Sequence, residues 1–274
     1  MSPAAPATAT PANPRYPNAS SYRVTPAHVL RSEWHKLWSL RSTWITLLSA
    51  SALILGIGLL MGATYESGGG DADMDTVVLV LIGVQFAQIA FAVLGILVTA
   101  GEYTTGMIRA SMTAVPRRLP VLWAKAAVFG AVVFAVSLAT AFATFLPAAL
   151  LLSDTDQAAS LGDPGVLRAL LGCATALTLL GLIALGLGSA LRSVPGAVGT
   201  FLGGVMVLPE VLGMLPYDIV QDVKKYVPTK ATEALTSAQP VVAGASPGGA
   251  LLALALTAAA TLVLASALLK RRDV

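Results

Sequence analysis

The chain has 274 residues, of which 56% are hydrophobic and 11% are charged, and its formal net charge is +3. A soluble domain carries about 25% charged residues, so this composition excludes an ordinary water-soluble protein. Together with a mean hydropathy of +0.78, it predicts an all-α integral membrane protein.

The first 24 residues form a segment rich in Pro, Ala, Thr and Asn, with no continuous apolar stretch. A secretory signal peptide needs such a stretch, so we expect a disordered N-terminal tail instead. Residues 25–274 are then expected to form one membrane domain.

An amphipathic helix is predicted to begin at Thr25-Pro26, because Thr is a good N-cap and Pro suits the first helical turn. We expect it to lie in the headgroup plane before the chain enters the bilayer near Trp44. The apolar side is expected to hold Leu30, Trp34, Leu37 and Trp38, together with Arg41. The water-facing side is expected to hold Arg31, Ser32, Glu33, His35, Lys36 and Ser39. Such a helix can be a plain anchor for the first span or a lever that joins the membrane part to a cytoplasmic partner.

Six apolar segments reach the roughly 20 residues that a membrane-spanning helix needs. Pro147 is expected to kink or end the third near its outer end, and Pro209-Glu210 is expected to break the fifth. The predicted spans are 44–64, 76–100, 121–152, 166–191, 196–215 and 249–269.

The basic residues are distributed unequally between the two sides of this topology. With a cytoplasmic N-terminus, 13 of the 17 Lys and Arg residues fall on the inner side and four on the outer side. The excess of Lys and Arg in cytoplasmic segments sets orientation. The sequence therefore predicts that both termini are cytoplasmic.

The 101–130 segment is the sizeable cytoplasmic loop between two predicted spans. Ile108, Met112 and Val115 recur at helical spacing, which predicts a short helix that ends at Pro116. Its apolar stripe can dock in the groove of a partner protein or fold back onto the membrane surface.

The predicted spans hold few polar groups near their centres. Gln85 and Gln88 lie three residues apart on one helix face, and two interpretations remain open: a helix–helix hydrogen bond or the lining of a transport cavity. Ion-coupled transporters mark their path with buried ionisable residues, so a secondary transporter is disfavoured.

Catalytic and metal-binding motifs are missing from the sequence. No Gly-Lys pair occurs, so the chain has no P-loop that could hold ATP phosphates. The 71–75 segment resembles the start of a calcium loop but has Thr76 and Ile82 where the loop needs Gly and Glu. We therefore expect no catalytic residue, metal site or cofactor in this chain.

Several motifs together resemble the permease subunit of type-2 ABC (ATP-binding cassette) transporters, in the six-span form common in actinobacteria. These are the 32–44 segment SEWHKLWSLRSTW, the run Glu102-Tyr103-x-x-Gly106-x-x-Arg109, and Pro116-Arg117-Arg118 followed by Lys125. The resemblance covers about residues 22–272 and includes the outer segment after the fifth span.

The resemblance implies a permease that transmits movement from a separate ATPase subunit, which would bind ATP and Mg. It also implies a second permease chain, a location in the cell membrane and a coupling helix at about 103–115. The implied coupling residues are Glu33, Glu102, Tyr103, Gly106, Ile108, Arg109, Met112, Pro116, Arg117 and Arg118.

The apolar interior favours export of an amphiphilic or hydrophobic compound, and no nucleic-acid partner is expected. The alternative is a membrane scaffold or sensor whose loop helix binds a cytoplasmic protein that is not an ATPase.

Overall fold

All regular structure in the described part of the chain is helical. The computed structural model describes residues 25–66, 75–104, 106, 118–239 and 246–271. In chain order the helices are α1 (Pro26–Ser39), α2 (Arg41–Thr64), α3 (Thr76–Val80), α4 (Val84–Thr104), α5 (Arg118–Leu151), α6 (Val166–Leu191), α7 (Val194–Gly199), a π-helix (Thr200–Val207), α8 (Leu208–Leu212), α9 (Asp218–Lys224), α10 (Pro228–Thr236) and α11 (Pro247–Arg271).

Six helical segments are long and apolar enough to cross a membrane, and the chain is a multi-pass membrane protein. They are α2, α4, α5, α6, the continuous segment Val194–Leu212 and α11. The six predicted spans are confirmed, with boundaries that differ by up to eight residues. The largest difference is at the second span, where α3 comes first and a turn through Gly83 precedes α4.

Helix α6 lies at the centre of the bundle and packs against α4, α5, α10 and α11. Small residues allow the close approach of α4 and α6. A Cβ atom on Gly188 would lie 3.1 Å from the Cα atom of Ile96. The Thr99 hydroxyl of α4 donates to the Leu185 carbonyl of α6 at 3.1 Å. Close backbone contact and a polar side-chain bond between helices are the usual means of association in lipid, where the hydrophobic effect is weak.

The expectation for Pro209-Glu210 needs correction, and the one for Pro147 needs it in part. Helix α5 continues four residues beyond Pro147, so this proline does not end the third span. The fifth span does not break at Pro209-Glu210, because helix α8 runs through both residues to Leu212. The irregularity is a π-helix just before them. Proline has no N–H to donate to the carbonyl one turn earlier. The π-helix, which is wider than an α-helix, lies on that preceding turn.

The bundle has two ends that carry different polar groups. We call one the terminal end, because α1, the first described helix, lies there. At this end α1 meets the end of α4 at Glu102 and the start of α5 at Lys125, and the α6–α7 corner at Arg192 lies against the end of α4. At the opposite end, the Asp75 carboxylate accepts hydrogen bonds from the Ser237 hydroxyl at 2.8 Å and the Gln239 N–H at 2.6 Å. These contacts tie α3 to the segment after α10, so each end has its own polar connections.

Candidate functional site: a buried ion cluster at the terminal end

Helix α1 packs one face against the bundle, and that face carries a charge. Val29, Glu33 and Leu37 are its buried residues, spaced four apart. Glu33 and Lys36 were predicted on the water-facing side, and this prediction is wrong. Glu33 is buried and Lys36 lies half-buried beside it, because an oppositely charged side chain faces them from α5.

That side chain is Lys125, and it completes a cluster of four charges. Its Nζ atom lies 2.7 Å from Glu33 Oε2 and 2.8 Å from Glu102 Oε1. The Nζ atom of Lys36 lies 2.8 Å from Glu33 Oε1 and 3.3 Å from Glu102 Oε1. Two carboxylates and two ammonium groups therefore alternate, and the formal charges cancel. The four residues are called the ion cluster below.

Burial makes the ion cluster more than a surface ion pair. The side chains of Glu33, Lys125 and Glu102 are only 5%, 7% and 10% exposed. Exposed ion pairs contribute about 0–1 kcal/mol, but removing one partner of a buried pair costs about 3–5 kcal/mol, because a charge is left without compensation. The cluster therefore fixes the positions of three helices relative to one another.

The pKa values of the two α1 members reflect these contacts. Burial by itself would raise the pKa of Glu33, but the nearby ammonium groups of Lys125 and Lys36 outweigh it and lower that pKa below its usual 4.5. Burial would lower the pKa of Lys36, but Glu33 and Glu102 raise it above 10.5. Both groups are therefore charged at neutral pH.

A cavity of about 240 Å³ lies beside the ion cluster. All four charged residues line it. The rest of its wall is mostly apolar and comes from α1, α4, α5 and the start of α2, with Leu37, Leu97 and Phe129 among the lining residues. The cavity leaves part of the contact between α1 and the bundle unfilled beside the ion cluster.

The α1–α2 corner is formed by three tryptophans. The rings of Trp34 and Trp38 lie 5.6 Å apart, and those of Trp38 and Trp44 lie 4.8 Å apart. The indole N–H of Trp44 donates to the Trp38 carbonyl at 3.2 Å. Between the helices Leu40 takes an extended backbone conformation, so the aromatic contacts hold the turn from α1 into the first span.

The structure describes some of the sequence-predicted coupling residues and not others. Glu33 and Glu102 meet in the ion cluster. Tyr103 is in the last turn of α4, with the Arg192 guanidinium 5.1 Å from its ring centre. Gly106 has a φ of +72°, which a glycine adopts without strain. Ile108, Arg109, Met112, Pro116 and Arg117 lie outside the described residues, as does most of the predicted 103–115 helix. Arg118 is the first residue of α5.

Within the part of the chain that the structure describes, Gln85 and Gln88 form no hydrogen bond between helices. The Gln88 amide N–H donates to the carbonyl of Gln85 at 2.9 Å and to its side-chain oxygen at 3.1 Å, all within α4. Gln88 is buried and Gln85 is exposed. The pair is thus an intrahelical contact, and whether it lines a cavity in an assembled complex stays a prediction.

Lys36 and Lys125 are the site residues that the sequence analysis missed. A signal was present. Lys125 lies inside an apolar run predicted to be a span, where a charge needs a partner. On the predicted inner side, the acidic residues are Glu33, Glu102 and Asp273.

The charged groups of the ion cluster pair with one another. Within the described ranges, no three His, Cys, Asp or Glu side chains are grouped so that they could hold a metal ion. The arrangement connects α1 to α4 and α5, the helices on both sides of the 105–117 segment.

The comparisons with known proteins add no family to this description. No protein-family model matches the chain, and no curated protein sequence matches it.

Proposed function

We propose that this chain is the membrane-spanning permease subunit of an ATP-driven ABC transporter. The single observation that carries the proposal is the ion cluster. Two residues that the resemblance marks for coupling, Glu33 and Glu102, are 69 positions apart in the sequence, yet they share Lys36 and Lys125 as partners. A plain membrane anchor needs no such connection.

The cluster gives the proposed coupling a physical path. Glu102 lies just before the 105–117 loop and Lys125 lies shortly after it, so the ion pair closes the base of the loop. Glu33 and Lys36 attach α1 to the same point. A partner that moves the loop would therefore move the ends of α4 and α5 together with α1, because separating these charges costs several kcal/mol.

The remaining parts of the proposal come from the sequence. The excess of basic residues on one side favours cytoplasmic termini and a cytoplasmic loop in the cell membrane. Because the chain has no P-loop, a separate subunit would bind ATP and Mg. A second permease chain would complete the complex, and the apolar spans favour an amphiphilic or hydrophobic compound as the exported substrate.

The proposal is tested by purifying the full chain from native membranes and identifying the protein that binds it. Ile108→Asp and Met112→Asp place charges on the predicted apolar stripe of the loop. We expect wild-type chain to retain a protein with a P-loop and to show ATP hydrolysis, and each variant to lose both. Thr113→Asp is the matched control, because residue 113 falls on the opposite side of a helix with the same register.

Two results would contradict the proposal. One is a purified chain that is bound stoichiometrically by a cytoplasmic protein without an ATP-binding motif, which would favour the scaffold or sensor function. The other is ATPase binding that is unchanged in Ile108→Asp and Met112→Asp while both variants are inserted normally.

A further inference from the structure

Helix α1 has three sides, and only one of them faces the bundle. Successive residues advance by about 100° around a helix, so the inner face of Val29, Glu33 and Leu37 is followed by an apolar flank that contains Leu30 and Trp34. Arg31 lies next to this flank, further from the bundle. Leu30 and Trp34 are exposed, as is Arg31.

The apolar flank continues into the lipid-facing surface of the first span. Trp44, Ile45 and Leu48 of α2 are 49%, 67% and 64% exposed, as expected for side chains that contact lipid tails. The rings of Trp34, Trp38 and Trp44 contact one another in edge-on and tilted arrangements, and this row of three rings, called the tryptophan stack below, connects this surface to α1. Tryptophan prefers the boundary between headgroups and tails, so this stack marks headgroup depth.

Each exposed tryptophan at the two ends of the stack has an arginine one turn before it. Arg31 precedes Trp34 by three residues and Arg41 precedes Trp44 by three, and residues at this spacing are neighbours on a helix surface. Both arginines are exposed. Glu33, the acidic residue of this stretch, is turned inward and neutralised by Lys36 and Lys125. The outer side of the α1–α2 corner is therefore positively charged at headgroup depth.

We propose that Arg31 and Arg41, at the two ends of the tryptophan stack, bind the headgroups of anionic phospholipids. The guanidinium group matches phosphate in geometry and charge, and the exposed tryptophans and leucines extend into the adjoining tail region. Because the inner face of α1 is held by the ion cluster, lipid bound on its outer face acts on the ends of α4 and α5. This site is independent of the ATPase, of transport and of the identity of any substrate.

The test measures lipid selectivity at the tryptophan stack of the purified full chain. A Trp123→Phe background removes the tryptophan outside the stack, and the protein is placed in vesicles of brominated phosphatidylglycerol or brominated phosphatidylcholine. Bromine quenches only nearby tryptophans. A cation near the surface favours anionic lipid about fivefold, so we expect stronger quenching by the anionic lipid, with a preference of about fivefold or more.

Three variants decide the origin of that preference. Arg31→Gln with Arg41→Gln should bring the preference close to one, and Arg31→Lys with Arg41→Lys should give an intermediate preference, because it keeps the charge but loses the guanidinium geometry. Lys270→Gln with Arg271→Gln is the charge-matched control on the last helix, and it should keep the wild-type preference. Equal quenching by the two lipids in wild type, or an unchanged preference in the double Gln variant, would overturn the inference. Absence of quenching by either lipid would also overturn it, because the tryptophans would then not lie at the lipid surface.

Discussion

Lys125→Met is the most informative single substitution in the ion cluster, because methionine keeps the length of the side chain and removes its charge. At the 2.7 Å separation of Lys125 Nζ and Glu33 Oε2, an effective dielectric constant of about 20 gives an attraction of about 6 kcal/mol. Desolvation of the two ions offsets much of this. The variant removes one of the two ammonium groups that contact the buried carboxylates in the ion cluster, so we expect a loss of about 3–5 kcal/mol in the free energy of unfolding.

The assay is the thermal stability of the detergent-purified protein, followed by size-exclusion chromatography after heating. For a chain of this size 1 kcal/mol corresponds to about 2–4 °C, so Tm should fall by roughly 10 °C. Lys225→Met is the matched control, because Lys225 pairs with Asp222 at 2.9 Å at the exposed surface. It should leave Tm unchanged.

A double-mutant cycle separates electrostatics from packing. Glu33→Gln with Lys125→Met leaves one carboxylate and one ammonium group, so the charges balance again. The double variant should be less destabilised than the sum of the two single variants by at least about 1 kcal/mol. An unchanged Tm in Lys125→Met, or strictly additive effects in the cycle, would refute the assignment of the cluster as a connected ionic unit.

Three further predictions concern pH, close helix packing and a buried amide. The folded-state pKa of Glu33 is lowered, so the stability that its ionised form contributes is present above pH 4.5 and is lost as pH falls through the folded-state pKa. Tm measured against pH should therefore decline in that acidic range, and it should decline less steeply in Glu33→Gln. Gly58→Ala should lower Tm by several degrees, because the added Cβ would collide with Thr144 and a backbone carbonyl, whereas Gly56→Ala has open space around it and should leave Tm unchanged. Gln88→Met should preserve or raise Tm, because the side-chain oxygen of Gln88 is buried and accepts no hydrogen bond within the described residues. A fall in Tm of several degrees would show that this oxygen has a structural role.

The spans could be predicted from the sequence because the signal is local. A stretch of about 20 apolar residues has to form a helix in lipid, whatever the rest of the chain does. The start of α1 at Thr25-Pro26 could be predicted for another local reason, because Thr is a good N-cap and Pro suits the first helical turn. The error at Pro209 arose because proline was expected to break a helix, whereas membrane helices tolerate it when nearby backbone groups readjust.

The ion cluster could be predicted only in part because it depends on tertiary contacts. Glu33 and Glu102 were singled out by resemblance, but their partners were not, since Glu33 and Lys125 are 92 positions apart. Periodicity placed Glu33 on the water-facing side of α1, on the assumption that a charge avoids burial. That assumption fails where a buried partner compensates the charge. Lys125 inside a predicted span indicated that some acidic residue must pair with it, but periodicity along one helix does not show which one.

The most direct test of the proposed coupling is a photo-crosslink from the loop in living cells. A photoreactive phenylalanine analogue at Met112 should form an adduct with a protein that carries a P-loop, and the same analogue at Ala72, in the predicted outer loop, should not. Lys125→Met should weaken the adduct at Met112 at equal amounts of inserted chain, because the base of the loop is no longer closed. An adduct at Ala72 in place of Met112, or an adduct at Met112 with a protein that has no ATP-binding motif, would contradict the proposed function.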